Sequence, residues 1–207
     1  MYRRHLINSR VKNLFKFVSA KMNTVFTVES LLEFDTCYHL EFSSAVKAYE
    51  AQPEGFYYDF EGGSFPYTPD FRVIGHDDRP CFLEVKPSDK VANPDFLQRF
   101  PFKQQRAMEL SSPLKLITER QIRINPILGN LKLLHRYSGF QSFTPLHMRL
   151  LDLVRELGRV QLSKLCCSTG APQGEVIAST LSLIAIGLIE SDLTEQIFGF
   201  NTFVWSN

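Results

Sequence analysis

Apolar and polar residues alternate in two short runs near the start of the chain, residues 14–19 and 23–28, on either side of Lys21 and Met22. A period of two puts alternate side chains on opposite faces of a strand, so this stretch is expected to form a β-hairpin with a basic outer face. The period then lengthens. Leu31, Phe34, Tyr38 and Phe42 recur at helical intervals, with Ser30 placed as an N-cap and Glu33 at the third helical position, as in a capping box. Strand-like runs follow at 45–52, 55–60, 66–74 and 81–86, then a helical run at 96–110, a strand at 114–118 and a helix at 126–137. Turn residues between Gly75 and Pro80 make the strands on either side of them a predicted hairpin. This order predicts an α/β domain, a mixed central sheet flanked by helices.

The pattern breaks at 138–145, through Ser-Gly-Phe-Gln-Ser-Phe-Thr-Pro. Beyond it Leu146, Leu150, Leu153, Val154 and Leu157 share one face of a predicted helix. Two more helices are expected at 160–167 and 173–186, and a strand and turn at 187–192 that closes with 202–205. Three helices and a hairpin are the order of a winged helix. The chain therefore divides into a basic arm and hairpin (1–28), the α/β domain (29–138) and a small winged-helix-like domain (139–207). The last helix offers Gln173, Glu175, Ser179, Thr180 and Ser182 without Lys or Arg, which favours protein docking or a structural role over base readout.

At 207 residues the chain is long enough for one large or two small domains. Its net charge of +1 conceals a segregation of sign. Residues 1–28 carry six Lys or Arg and no acid, residues 29–98 carry fourteen acids against five bases, and residues 99–136 carry eight bases against two acids. An acidic block between basic ones suits a protein that gathers cations at carboxylates and phosphates at Lys and Arg, with the amino-terminal block as a DNA-contacting arm; a merely solvated surface is the plainer alternative. No apolar run reaches the length of a membrane helix, and the basic amino terminus lacks the apolar stretch of a secretory signal, so a cytoplasmic protein without a membrane partner is expected. Cys37, Cys81, Cys166 and Cys167 lack zinc-site spacing and read as reduced thiols. His39, His76, His135 and His147 are scattered and read as surface or core residues.

The chemistry concentrates in two segments. Tyr67-Thr-Pro-Asp70-Phe-Arg-Val73 is followed by Glu84-Val-Lys86, the Pro-Asp, spacer, Glu-x-Lys pattern of a restriction-endonuclease-like nuclease, PD-(D/E)xK. On a strand Glu84 and Lys86 point the same way, leaving Leu83 and Val85 to the core. A neighbouring strand ending near Asp70 would bring a second carboxylate beside Glu84, and two close carboxylates repel unless a cation lies between them. Oxygen donors favour Mg²⁺, with Mn²⁺ as a substitute. Phosphodiester hydrolysis suits this set, while a surface strand with a salt-bridging lysine is the bland reading of the same residues. On the residues alone Glu33 reads as a capping carboxylate.

Taken together, Glu29-Ser-Leu-Leu-Glu33, Phe42-Ser-Ser-Ala-Val46, Gln52-Pro53, Tyr67-Thr-Pro-Asp70-Phe71 and Glu84-Val-Lys86 resemble the TnsA endonuclease family of TnsABC-type transposons, in particular its compact forms in CRISPR-associated systems. The resemblance implies that Glu33 is an essential acid of the site, not only a cap. It implies that Asp70 binds the metal and that Lys86 is catalytic; with these residues together, Glu33, Asp70, Glu84 and the Val85 carbonyl are expected to hold Mg²⁺. Some family members carry Gln in place of the middle acid; Glu84 here keeps the general nuclease pattern. The implied job is cleavage of the 5′ ends of a transposon while a TnsB transposase cuts and joins the 3′ ends. The carboxyl-terminal region would contact the AAA+ regulator TnsC, within a nucleoid-associated bacterial complex. A stand-alone restriction or repair nuclease and a non-catalytic bridging subunit are the other readings.

Overall fold

The computed structural model describes residues 13–139 and 142–206; the expected arm, with Arg3, Arg4, Arg10 and Lys12, lies outside the described residues. Two compact units divide the chain between Arg123 and Ile124.

The first unit opens with the expected hairpin, β1 (Phe15–Ser19) and β2 (Thr24–Val28), paired with Phe17 opposite Phe26. Phe17 is wholly buried and meets Phe34 and Tyr38 edge-on at 5.8 and 5.1 Å. Those two rings belong to α1 (Leu31–Phe42), which starts as its sequence predicts: Ser30 Oγ accepts from the Glu33 amide at 3.1 Å. More of α1 is buried than one apolar stripe would cover. Asp35 and Glu41 lie inside it, and each buried carboxylate has partners, Arg123 Nε for Asp35 and the hydroxyls of Ser19 and Tyr49 for Glu41. At the other end of α1, Lys21 Nζ donates to the carbonyls of Leu40, Ser43 and Val46 at 2.9–3.0 Å, satisfying acceptors that a helix terminus leaves open.

Next come β3 (Val46–Ala51), a hairpin of β4 (Phe56–Phe60) and β5 (Gly63–Tyr67), then β6 (Phe71–Gly75) and β7 (Pro80–Val85). Two short helices, α2 (Ser88–Val91) and α4 (Glu119–Ile122), bracket the long α3 (Pro94–Glu109) and the strand β8 (Leu114–Ile117). The four-stranded sheet runs β3-β6-β7-β8; its first three strands are antiparallel, and β7 and β8 are parallel, joined by the crossover through α3. The result is a mixed α/β architecture compatible with a nuclease fold.

Two expectations need correction here. The run at 66–74 is not one strand. It breaks at Thr68 to Asp70, because Pro69 has no N–H to continue a ladder, and the chain passes there from the β4–β5 sheet to the four-stranded one. Nor does β7 alternate. Leu83 and Val85 are buried as expected, but so are Phe82 and Glu84, because this central strand is covered on both faces. Phe82 joins Phe56, Tyr58, Phe60 and Tyr67 of the hairpin against Phe96, Phe100 and Ala107 of α3.

The second unit holds α5 (Ile127–Arg136), α6 (Pro145–Leu157), β9 (Val160–Gln161), α7 (Leu162–Thr169), α8 (Gln173–Ala185), β10 (Glu190–Ser191) and β11 (Phe203–Trp205). Its strands form an antiparallel sheet in the order β10-β11-β9. Leu150, Val154, Leu162, Leu165, Val176, Leu181 and Val204 make a fully buried core. Trp205 Nε1 donates to Glu190 Oε2 at 3.0 Å, and the Arg159 guanidinium lies 5.4 Å from its ring. The division falls before α5, not after it at 138 as the break in periodicity predicts. The reason is Asn130: its amide donates to the carbonyls of Leu193 and Gln196 and accepts from the Phe198 amide, so α5 is stitched to the loop that leads into β11. Among the described residues no helix is long and apolar enough to cross a membrane.

Candidate functional site

Because β6 and β7 are antiparallel with Phe71 opposite Leu83, the start of one lies beside the end of the other. That pairing brings Asp70, just before β6, to Glu84 and Lys86. The Asp70 amide donates to the Leu83 carbonyl at 3.0 Å, and Asp70 Oδ2 accepts from the Val85 amide at 2.7 Å. Val85 thus enters the site through its N–H. Glu84 is buried, with Oε2 accepting from the Tyr67 hydroxyl at 2.6 Å and Oε1 lying 3.1 Å from Lys86 Nζ. Glu84 and Lys86 do share a face. The Lys86 ammonium is also 4.9 Å from the centre of the Phe96 ring, where the π face favours a cation.

Glu33 reaches the same region from the first turn of α1. It is buried, and its oxygens accept from the Glu29 amide, the Ser30 hydroxyl and Gln52 Nε2. The capping bonds hold this carboxylate in place beside the start of β6. Burial raises the pKa of Glu33, against the lowering effect of the Glu29 amide. Asp70 is pushed well above the usual carboxylate range, first by burial and then by the charges of Glu84 and Glu33. The Tyr67 hydroxyl is also held well above its ordinary value, by burial and by Glu84, so it remains a proton donor to that carboxylate.

Three residues of this neighbourhood escape the sequence reading of its chemistry. Tyr67 figures there only as the residue that opens the Pro-Asp segment. Gln52 is found at the end of β3, its amide nitrogen on Glu33 and its backbone N–H on the Asp70 carbonyl at 2.8 Å. Lys103 of α3 stands 4.5 Å from the Tyr67 ring centre, its pKa lowered by burial. Arg99, one turn earlier on α3, stacks over Phe60 and Phe65 at 4.9 and 5.0 Å and pairs with Asp95. The helical spacing of Arg99 and Lys103 is visible in the sequence, but the rings beneath them come from a hairpin far along the chain.

As placed, no three His, Cys, Asp or Glu side chains among the described residues stand close enough to hold a metal ion. The candidate donors are nonetheless all oxygens, the donor chemistry that suits a hard dication. His39 bonds through Nε2 to the Ile122 carbonyl and takes no part.

Acids and a lysine thus gather at one end of the mixed sheet. Residues 43–119 match the family described as TnsA-like endonuclease N terminal, so this part of the chain is similar to a TnsA-type nuclease domain. The match spans Asp70, Glu84, Val85 and Lys86, while Glu33 precedes it. No curated protein matches the chain.

Proposed function

We propose that the chain is a metal-dependent DNA endonuclease that cuts the 5′ ends of a transposon during cut-and-paste transposition, acting with a TnsB transposase and the AAA+ regulator TnsC. The observation that carries this reading is the meeting of Asp70 with Glu84 and Lys86 where β6 begins and β7 ends, with Glu33 delivered to them by α1. Glu33, Asp70, Glu84 and the Val85 carbonyl would hold Mg²⁺, or Mn²⁺ in its place. When bound, the dication supplies Lewis-acid polarisation of the phosphate and neutralises its charge.

The remaining work falls to the protein's own groups. Lys86, steadied by Glu84, sets its ammonium against the charge that grows on the scissile phosphate. Tyr67 fixes Glu84 by its short hydrogen bond. Lys103 and Arg99, held on aromatic rings, present cations to the phosphates of a DNA strand. The bond broken is that to the 3′ oxygen, which leaves a 5′ phosphate. The second unit, which we read as winged-helix-like, carries the partner-binding role; α8 has neither Lys nor Arg, in keeping with a protein partner.

The test is cleavage of transposon-end DNA with Mg²⁺ or Mn²⁺, with and without the partner proteins. Asp70→Ala should abolish 5′ cutting and Lys86→Ala should lower it by about 10²–10³-fold, with unchanged circular dichroism. A Lys86→Ala protein that cuts as well as wild type removes the assignment. Efficient cutting of plain plasmid by the chain alone would instead favour a stand-alone nuclease.

A further inference from the structure

Five non-glycine residues among those described have positive φ: Asn23, Gln52, Glu61, Asp78 and Ser111. Four of them sit in exposed turns. Gln52 does not. It is 7% exposed, with φ of 49°, a backbone conformation in which a long side chain is strained and glycine is not. Such strain persists where the surroundings over-determine it, and it concentrates at functional sites.

Gln52 ties together two residues of the candidate site. Its backbone N–H holds the Asp70 carbonyl at 2.8 Å, and its Nε2 holds Glu33 Oε2 at 3.3 Å. Its Oε1 is buried and accepts no hydrogen bond. A residue needed only to brace Glu33 would leave no such cost, because a buried acceptor without a donor is unfavourable and native folds rarely keep one. A neutral carbonyl oxygen on an amide already bonded to the Glu33 carboxylate is, however, a suitable donor to a hard dication.

We propose that Gln52 is a positioning residue of the site, holding Glu33 through its amide nitrogen and giving its amide oxygen to the cation that the carboxylates attract. This rests on the metal-dependent reading above. It accounts for three features together: the strained backbone, the bond to Glu33 and the unanswered oxygen. It also explains why glycine, the easier residue for this backbone, would not serve.

Binding of Mg²⁺ and of Mn²⁺ to the full chain, followed by calorimetry and by the shift in melting temperature, tests the idea without any cleavage assay. Four proteins suffice: wild type, Asp70→Asn, Gln52→Met and Gln52→Gly. Gln52→Met keeps the length of the side chain and removes both polar atoms; Gln52→Gly relieves the backbone. Both Gln52 variants should bind the cation about 10–100-fold more weakly than wild type, the range expected when a group that orients metal ligands is lost. The metal-free Gln52→Gly protein should melt no lower than wild type. Cation affinity equal to wild type in both Gln52 variants overturns the proposal, as does a Gln52→Gly protein that loses stability yet keeps its affinity. If wild type and Asp70→Asn alike ignore both cations, the metal reading itself has failed, and the role of Gln52 falls with it.

Discussion

Replacing Asp70 by Asn removes a carboxylate that burial, and after it the charges of Glu84 and Glu33, holds well above its usual range. An acid whose pKa rises on folding favours the fold below its unfolded value, near 4, and that contribution is lost as pH climbs through the folded value. In chelator, Asp70→Asn should therefore melt a few degrees above wild type at pH 8, and the gap should narrow as the pH is lowered; identical melting at pH 8 would contradict the electrostatic account. A stabilising substitution is the expected result where like charges crowd a buried carboxylate. Asp70, Glu84 and Lys86 are legible in the sequence because their relation depends on short spacings and one hairpin. Gln52, Tyr67 and Lys103 are not, because what they touch is set by tertiary contacts across the sheet, the inserted hairpin and α3.

At the scale of elements, α1 couples stability to the site. Ser30 both caps the helix and donates to Glu33 Oε1 at 2.8 Å. Ser30→Ala should cost about 1 kcal/mol in urea unfolding and also weaken cation binding, whereas an ordinary cap would affect the first alone. Asn130 has a comparable place in the second unit. Asn130→Ala would leave the Leu193 and Gln196 carbonyls and the Phe198 amide without their partner and should cost roughly 1–3 kcal/mol, read from denaturant melts. Helix and strand periods predict α1, the β1–β2 and β6–β7 hairpins, α3 and β8 closely. They misplace the 66–74 strand because a change of sheet within one extended run does not alter the alternation of residue types. They miss the burial of Glu84 because its partner hydroxyl lies on Tyr67, outside the strand.

For the whole molecule, the division before α5 has a direct check. A fragment starting at Ile124 should melt cooperatively, while one starting at residue 139 should not, because it lacks the buried Leu128, Leu131 and Leu134 and the Asn130 bonds. Cooperative melting of the shorter fragment would restore the boundary that the sequence pattern predicts. Loop composition marks where periodicity stops, and at 138–145 it stops inside the second unit. The chain has one tryptophan, and Trp205 closes the small sheet of the second unit against Glu190. Its fluorescence will thus report the loss of that unit and stay silent about the four-stranded sheet of the first unit, whose unfolding has to be followed by tyrosine absorbance or far-ultraviolet ellipticity.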